Sequence, residues 1–163
     1  MSNRPYSRKT LKALADGNIV KANELIGSAF HLSGVVVHGN HLGRTLGFPT
    51  ANLALHDKST VLPAFGVYAI RARINNVNLK GMANVGIRPT INGTSPLVEI
   101  NFFDFNDDLY GLTVDVYFYF RIREEKKFLN LNDLVNQIIQ DKTAVQYLLT
   151  RWDEPDANAI NTF

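Results

Sequence analysis

Residues 43–52 read Gly-Arg-Thr-Leu-Gly-Phe-Pro-Thr-Ala-Asn, a run whose types and spacing suit an anion and a small hard cation held side by side. Gly43 and Gly47 allow backbone N–H groups to approach an anion closely, and Arg44 adds a positive charge. Pro49 fixes its own φ and biases Phe48 toward extended backbone. Residues i and i+2 of an extended chain share a face, so the Thr50 hydroxyl and the Asn52 amide oxygen converge. A Gly/Pro turn leading into a strand uses the same residues, and spacing alone leaves both readings open. The segment is not a P-loop, because GxxxxGK[ST] occurs nowhere in the chain.

Glu99 is the second residue with chemical potential. In 96–104, Val98, Ile100 and Phe102 form an apolar face, and Glu99 lies opposite with Leu97, Asn101 and Phe103. A carboxylate partly desolvated by such neighbours has a raised pKa and serves as a base near neutral pH. The competing reading is a solvent-facing charge on a half-exposed strand. Residues 84–90, Asn-Val-Gly-Ile-Arg-Pro-Thr, read as a loop punctuated by Gly86 and Pro89, with Arg88 available to a phosphate or a carboxylate. The run Arg121-Ile122-Arg123-Glu124-Glu125-Lys126-Lys127-Phe128 reads as a solvated loop before a helix, or as a flap whose Phe128 walls an aromatic ligand.

The elements that must position these residues follow from pattern. At 163 residues with net charge +2, the chain fits one domain with a small appendage, and its charge carries no mandate for nucleic acid or membrane. It contains no cysteine, which excludes disulfides and thiolate metal sites. No stretch approaches the ~20 apolar residues of a membrane span, so a cytoplasmic protein is expected. Leu11, Leu14 and Ala15 keep helical spacing within 7–26, with a break at Asp16-Gly17-Asn18 and a stop at Gly27. Short strands are expected at 32–38, 65–74, 77–85, 96–104 and 112–122, with Asn75-Asn76 as a hairpin turn. In the last of these, Val114, Val116, Phe118 and Phe120 share one face, and Tyr117 and Tyr119 are expected to pack under another element. A stripe of Leu131, Leu134, Val135, Ile138, Ile139, Val145, Leu148 and Leu149 predicts a helix over 131–149, capped by Asn130 and covering an open side of the sheet. Residues 153–163 read as a loose tail.

Taken in order, these segments resemble the riboflavin kinase family, and specifically the kinase module of bacterial bifunctional riboflavin kinase/FMN adenylyltransferases (FAD synthetases). The likeness is carried by His38-Gly39, the Gly43–Leu53 run with Pro49-Thr50-Ala51-Asn52, Gly66-Val67-Tyr68-Ala69, Ala83–Thr90, Val98-Glu99, Asp104-Phe105, Asp108–Gly111 and Arg123–Phe128. It implies a mainly β fold: a six-stranded antiparallel Greek-key (split) barrel over 30–152 with a C-terminal helix, preceded by a short N-terminal helical extension at 1–29. It also implies transfer of the ATP γ-phosphoryl group to the riboflavin 5′-hydroxyl, giving FMN and ADP. The matching residues acquire expected roles. Thr50 and Asn52 hold Mg²⁺ with ATP; Gly39, Gly43, Arg44 and Gly47 line the nucleotide loop; Glu99 is the general base. Arg123, Glu125 and Phe128 form a flap near the flavin, with Asn84 and Arg88 in supporting positions. Residues 7–29 resemble the closing helices of an adenylyltransferase domain, whose signature is degraded here, so adenylyltransferase activity is not expected of this chain. A parent protein with that domain, or a stand-alone kinase, both fit. A non-catalytic flavin- or nucleotide-binding module is the alternative; nucleic-acid and membrane partners are not expected.

Overall fold

The computed structural model describes residues 5–39, 46–57 and 59–152; Gly43, Arg44 and the expected tail at 153–163 lie outside the described residues. The chain opens with α1 (Arg8–Ala15), capped by the Ser7 hydroxyl, which accepts from the Thr10 N–H at 3.1 Å. The Asn18 side chain caps α2 (Ile19–Ile26) by accepting from the Lys21 N–H at 3.1 Å, and Gly27 ends it at φ 84°. That left-handed conformation costs glycine little. Then come β1 (Phe30–Val37), β2 (Ala51–Leu55), β3 (Gly66–Ile74), β4 (Val77–Thr90), β5 (Gly93–Phe102), β6 (Thr113–Arg123) and α3 (Leu131–Trp152).

The strands close into an antiparallel barrel in the order β1-β2-β5-β4-β3-β6. Strand β6 returns beside β3, at the far side of the β3-β4-β5 meander, which is Greek-key connectivity. Asn75 and Asn76 make the expected hairpin turn at φ 50° and 64°, the positive pair that matches strand twist. Inside the barrel, Phe30, Tyr68, Ile70, Val85, Ile100 and Phe118 pack together with Leu14, Ile19 and Ala22 of the two N-terminal helices. On the outside, Val145 and Leu149 of α3 cover Val67, Ala69, Met82, Phe103 and Tyr119. Tyr119 thus packs under a helix as its spacing suggested.

Four local expectations are corrected. Pairing of β1 with β6, from Phe30↔Phe118 to Val35↔Thr113, closes the barrel, so α3 lies on a closed outer face and not over an open side. Residues 84–90 are strand, not loop. Beyond Val85, β4 pairs with β5 but no longer with β3, so Pro89 sits where a missing N–H breaks no ladder bond. Residues 51–55, absent from the five strands expected by pattern, form β2. Phe120 does not share the inner face with Phe118, because a bulge at Tyr119 turns it to the outer cluster. Among the described residues, no helix is long and apolar enough to cross a membrane.

Candidate active site

Strand register places the chemistry. Asn52 of β2 pairs with Glu99 of β5, Glu99 with Asn84 of β4, Asn84 with Val67 of β3, and Val67 with Arg123 of β6. Their chain neighbours Leu53, Ile100, Val85 and Tyr68 fill the barrel, so alternation turns this row outward. Over it lies a cavity of about 400 Å³, lined by Thr50, Met82, Asn84, Glu99 and Asn101 below, and by Arg123, Glu125, Phe128, Leu134 and Ile138 above. Apolar walls with a few convergent polar groups suit an aromatic ligand carrying a polar chain.

Burial in this cavity wall pushes the Glu99 carboxyl above its ordinary range, and the Arg88 guanidinium on the same face partly offsets the rise. A carboxylate of raised basicity is the form a general base requires near neutral pH. The Asn101 side chain donates from Nδ2 to the Pro49 carbonyl at 2.7 Å, which ties the segment carrying Thr50 onto β5. Thr50 is shared with a second cavity of about 680 Å³, lined by His38, Gly39, Pro49 and Asn106–Tyr110. In its wall the His38 and Tyr110 rings stack at 4.0 Å and 16°.

Asn52 is 6% exposed, and its Oδ1 is buried without a hydrogen-bond partner among the described residues. Gly39 lies against it: a Cβ there would stand 2.9 Å from Oδ1. An orphaned amide oxygen fits a hard divalent cation that keeps other oxygen ligands. No group of three or more His, Cys, Asp or Glu that could hold a metal occurs among the described residues. A neutral amide donor suits Mg²⁺ that keeps anionic oxygens from another ligand.

The structure gives the other expected residues distinct places. Arg123 Nε lies 3.0 Å from both oxygens of Asp141, and Nη2 lies 2.9 Å from Oδ2. Its Nη1 donates to the Glu124 carbonyl at 2.9 Å, and its guanidinium sits 5.9 Å from the Phe128 ring centroid. Arg123 is thus a tie between β6, the flap and α3. The Glu125 carboxylate lies over Gly86, where any side chain would meet it. Gly47 makes an exposed turn at φ 84° between Leu46 and Phe48, which line the first cavity. Arg88 is exposed, 3.4 Å from the Ser95 hydroxyl, and lines a smaller cavity of about 120 Å³ with Asn52.

Sequence reasoning missed Asn101 and Asp141 as site residues. Asp141 had a readable signal: it interrupts the α3 stripe between Ile138 and Val145, yet it is 3% exposed. A buried acid on an apolar stripe needs a partner, and Arg123 with Gln137, at 3.0 Å, supplies it.

The family model for Flavokinase: Riboflavin kinase matches residues 26–149. The chain belongs to the riboflavin kinase family. The bifunctional riboflavin kinase/FMN adenylyltransferase of Bacillus subtilis is 41% identical over 139 residues, covering 83% of this chain and 44% of the relative. The chain therefore spans less than half the length of that curated relative. The riboflavin kinase structure from Trypanosoma brucei aligns with a TM-score of 0.55 at 27% identity, over 76% of this chain and 81% of that one. A Streptococcus pneumoniae structure described as a macrolide-efflux protein aligns with a TM-score of 0.81 at 41% identity, over 90% of this chain and 48% of that one.

Proposed function

We propose that this domain phosphorylates the ribityl 5′-hydroxyl of riboflavin with ATP, giving FMN and ADP. The observation that supports it most is the position of Glu99, a carboxyl of raised pKa in the wall of a cavity whose volume and lining suit a flavin. The flavin ring occupies the space between Met82, Phe128, Leu134 and Ile138, and the ribityl chain points toward Glu99. The nucleotide occupies the second cavity, beside His38, Gly39 and Tyr110, so Thr50 stands at the junction of the two substrates. Thr50 and Asn52 would hold Mg²⁺, which would supply positive charge to the phosphate oxygens.

Glu99 orients the 5′-hydroxyl and takes its proton. The new bond joins that oxygen to the γ-phosphorus; the bond from the γ-phosphorus to the β,γ-bridging oxygen breaks, and ADP leaves with the electron pair. Phosphoryl transfer depends mainly on positioning and charge stabilisation, which gives the rigid strands β2 and β5 their importance. A module that binds flavin without turnover has no use for a basic carboxylate paired across strands with a cation ligand. The FMN adenylyltransferase activity named for the bifunctional relatives is not assigned to this chain. The test is an assay with ATP, Mg²⁺ and riboflavin. Wild type forms ADP and FMN in equal amounts, and Asn52→Ala loses rate chiefly through weakened Mg²⁺-dependent use of ATP. Absence of FMN from the wild type, or an Asn52→Ala variant with unaltered Mg²⁺ and ATP dependence, contradicts the assignment.

A further inference from the structure

Asn84 carries a polar atom that the fold leaves unused. Its Oδ1 is buried, and no hydrogen-bond partner for it occurs among the described residues. A native protein rarely leaves a buried acceptor unpaired, because the group forfeits its hydrogen bond to water without a replacement. The residue lines the 400 Å³ cavity and is the direct cross-strand partner of Glu99. Directly paired side chains start about 5 Å apart and run side by side off the sheet. Whatever atom Glu99 holds, a group one or two bonds farther along the same ligand falls within reach of Asn84.

Resting on the riboflavin kinase reading, we infer that Asn84 is a specificity-determining residue that hydrogen-bonds the hydroxyl adjacent to the reacting one. On the ribityl chain this is the 4′-hydroxyl beside the 5′-hydroxyl. A hydroxyl both donates and accepts, so it satisfies the amide in either orientation. The contact fixes the rotation of the terminal carbons and aims the 5′-oxygen from Glu99 toward Thr50. The cavity thereby selects a vicinal diol at the end of a flavin side chain and discriminates against a chain with a single terminal hydroxyl. The matching orphan on the other side of Glu99, Asn52 Oδ1, serves the cation; Asn84 serves the acceptor.

The experiment is equilibrium titration of flavin fluorescence, which requires no turnover. Riboflavin and 4′-deoxyriboflavin are titrated into wild type, Asn84→Ala and the near-isosteric Asn84→Leu, with thermal melting of each variant as a check on folding. Wild type binds riboflavin about tenfold more tightly than the deoxy analogue, the value of one well-made hydrogen bond at a buried acceptor. The folded Asn84 variants bind the two flavins equally. A general loss of packing would weaken both flavins in parallel and preserve the ratio, so a preserved ratio in either folded variant overturns the inference. A wild type that binds riboflavin and the analogue alike also overturns it, while leaving the kinase reading intact. A wild type that binds neither flavin overturns both.

Discussion

Glu99 owes its chemistry to its surroundings more than to its type. Its neighbours on β5 are buried, its cross-strand partners are amides, and Arg88 is the cation that eases its ionisation. The raised pKa has two consequences of opposite sign. For catalysis, the acid limb of the rate profile lies above the ordinary carboxylate range, and Glu99→Gln removes that limb while lowering turnover by about 10²–10⁴-fold. For stability, a carboxyl whose folded pKa exceeds its unfolded value helps the fold fully below the unfolded pKa. That contribution is lost as pH rises through the folded pKa. At neutral pH ionised Glu99 is therefore a burden, and Glu99→Gln melts at a higher temperature than wild type. The gap narrows as the medium is acidified below the normal glutamate pKa. Melting curves of both proteins between acidic and neutral pH check this; a variant that melts lower at neutral pH contradicts it. The residue was singled out from alternation alone. The two amides beside it gained meaning from register, which no local pattern in the chain encodes.

At the scale of elements, α3 and the flap act together. The Arg123–Asp141 pair joins the end of β6 to the middle of α3, with side chains 21% and 4% exposed. Breaking such a pair leaves a charge largely shielded from water without its partner. Asp141→Asn is expected to cost about 3 kcal/mol of stability and to raise the riboflavin KM while the ATP KM stays close to wild type. Denaturant unfolding and steady-state kinetics with each substrate varied in turn read the two effects. Equal rises in both KM values would place Asp141 outside the flap's positioning. The helix itself was legible, because Asn130 Oδ1 does accept from the Asp133 N–H at 2.9 Å and the stripe continues to Leu149. Its role in the cavity was not, since Leu134 and Ile138 look like ordinary core positions and instead form a wall. The β4–β5 ribbon was hidden for a different reason. Gly86 and Pro89 carry loop signals, and only the end of pairing with β3 makes proline tolerable there.

Across the whole molecule, two cavities meet at Thr50, and the cation donors proposed, Thr50 and Asn52, are neutral oxygens. Mg²⁺ sheds water reluctantly and needs anionic oxygen to stay. Calorimetry should therefore detect weak Mg²⁺ binding to the nucleotide-free protein and much tighter binding once ATP is present. Tight Mg²⁺ binding without nucleotide would contradict the shared site. The barrel class was legible from many short strands without intervening helices. Closure through β1 and β6 was not, because residues far apart in the chain meet there by packing of Phe30 on Phe118. The substrate was named by family likeness, and spacing alone suggested no more than an anion beside a cation. The most direct measurement of the central claim is transfer of label from γ-labelled ATP to riboflavin. The account predicts one labelled FMN for each ADP formed by wild type, and a rate at least about 100-fold lower for Glu99→Gln with riboflavin binding retained. Label that stays in ATP or appears only as free phosphate, or an unchanged rate in Glu99→Gln, would contradict it.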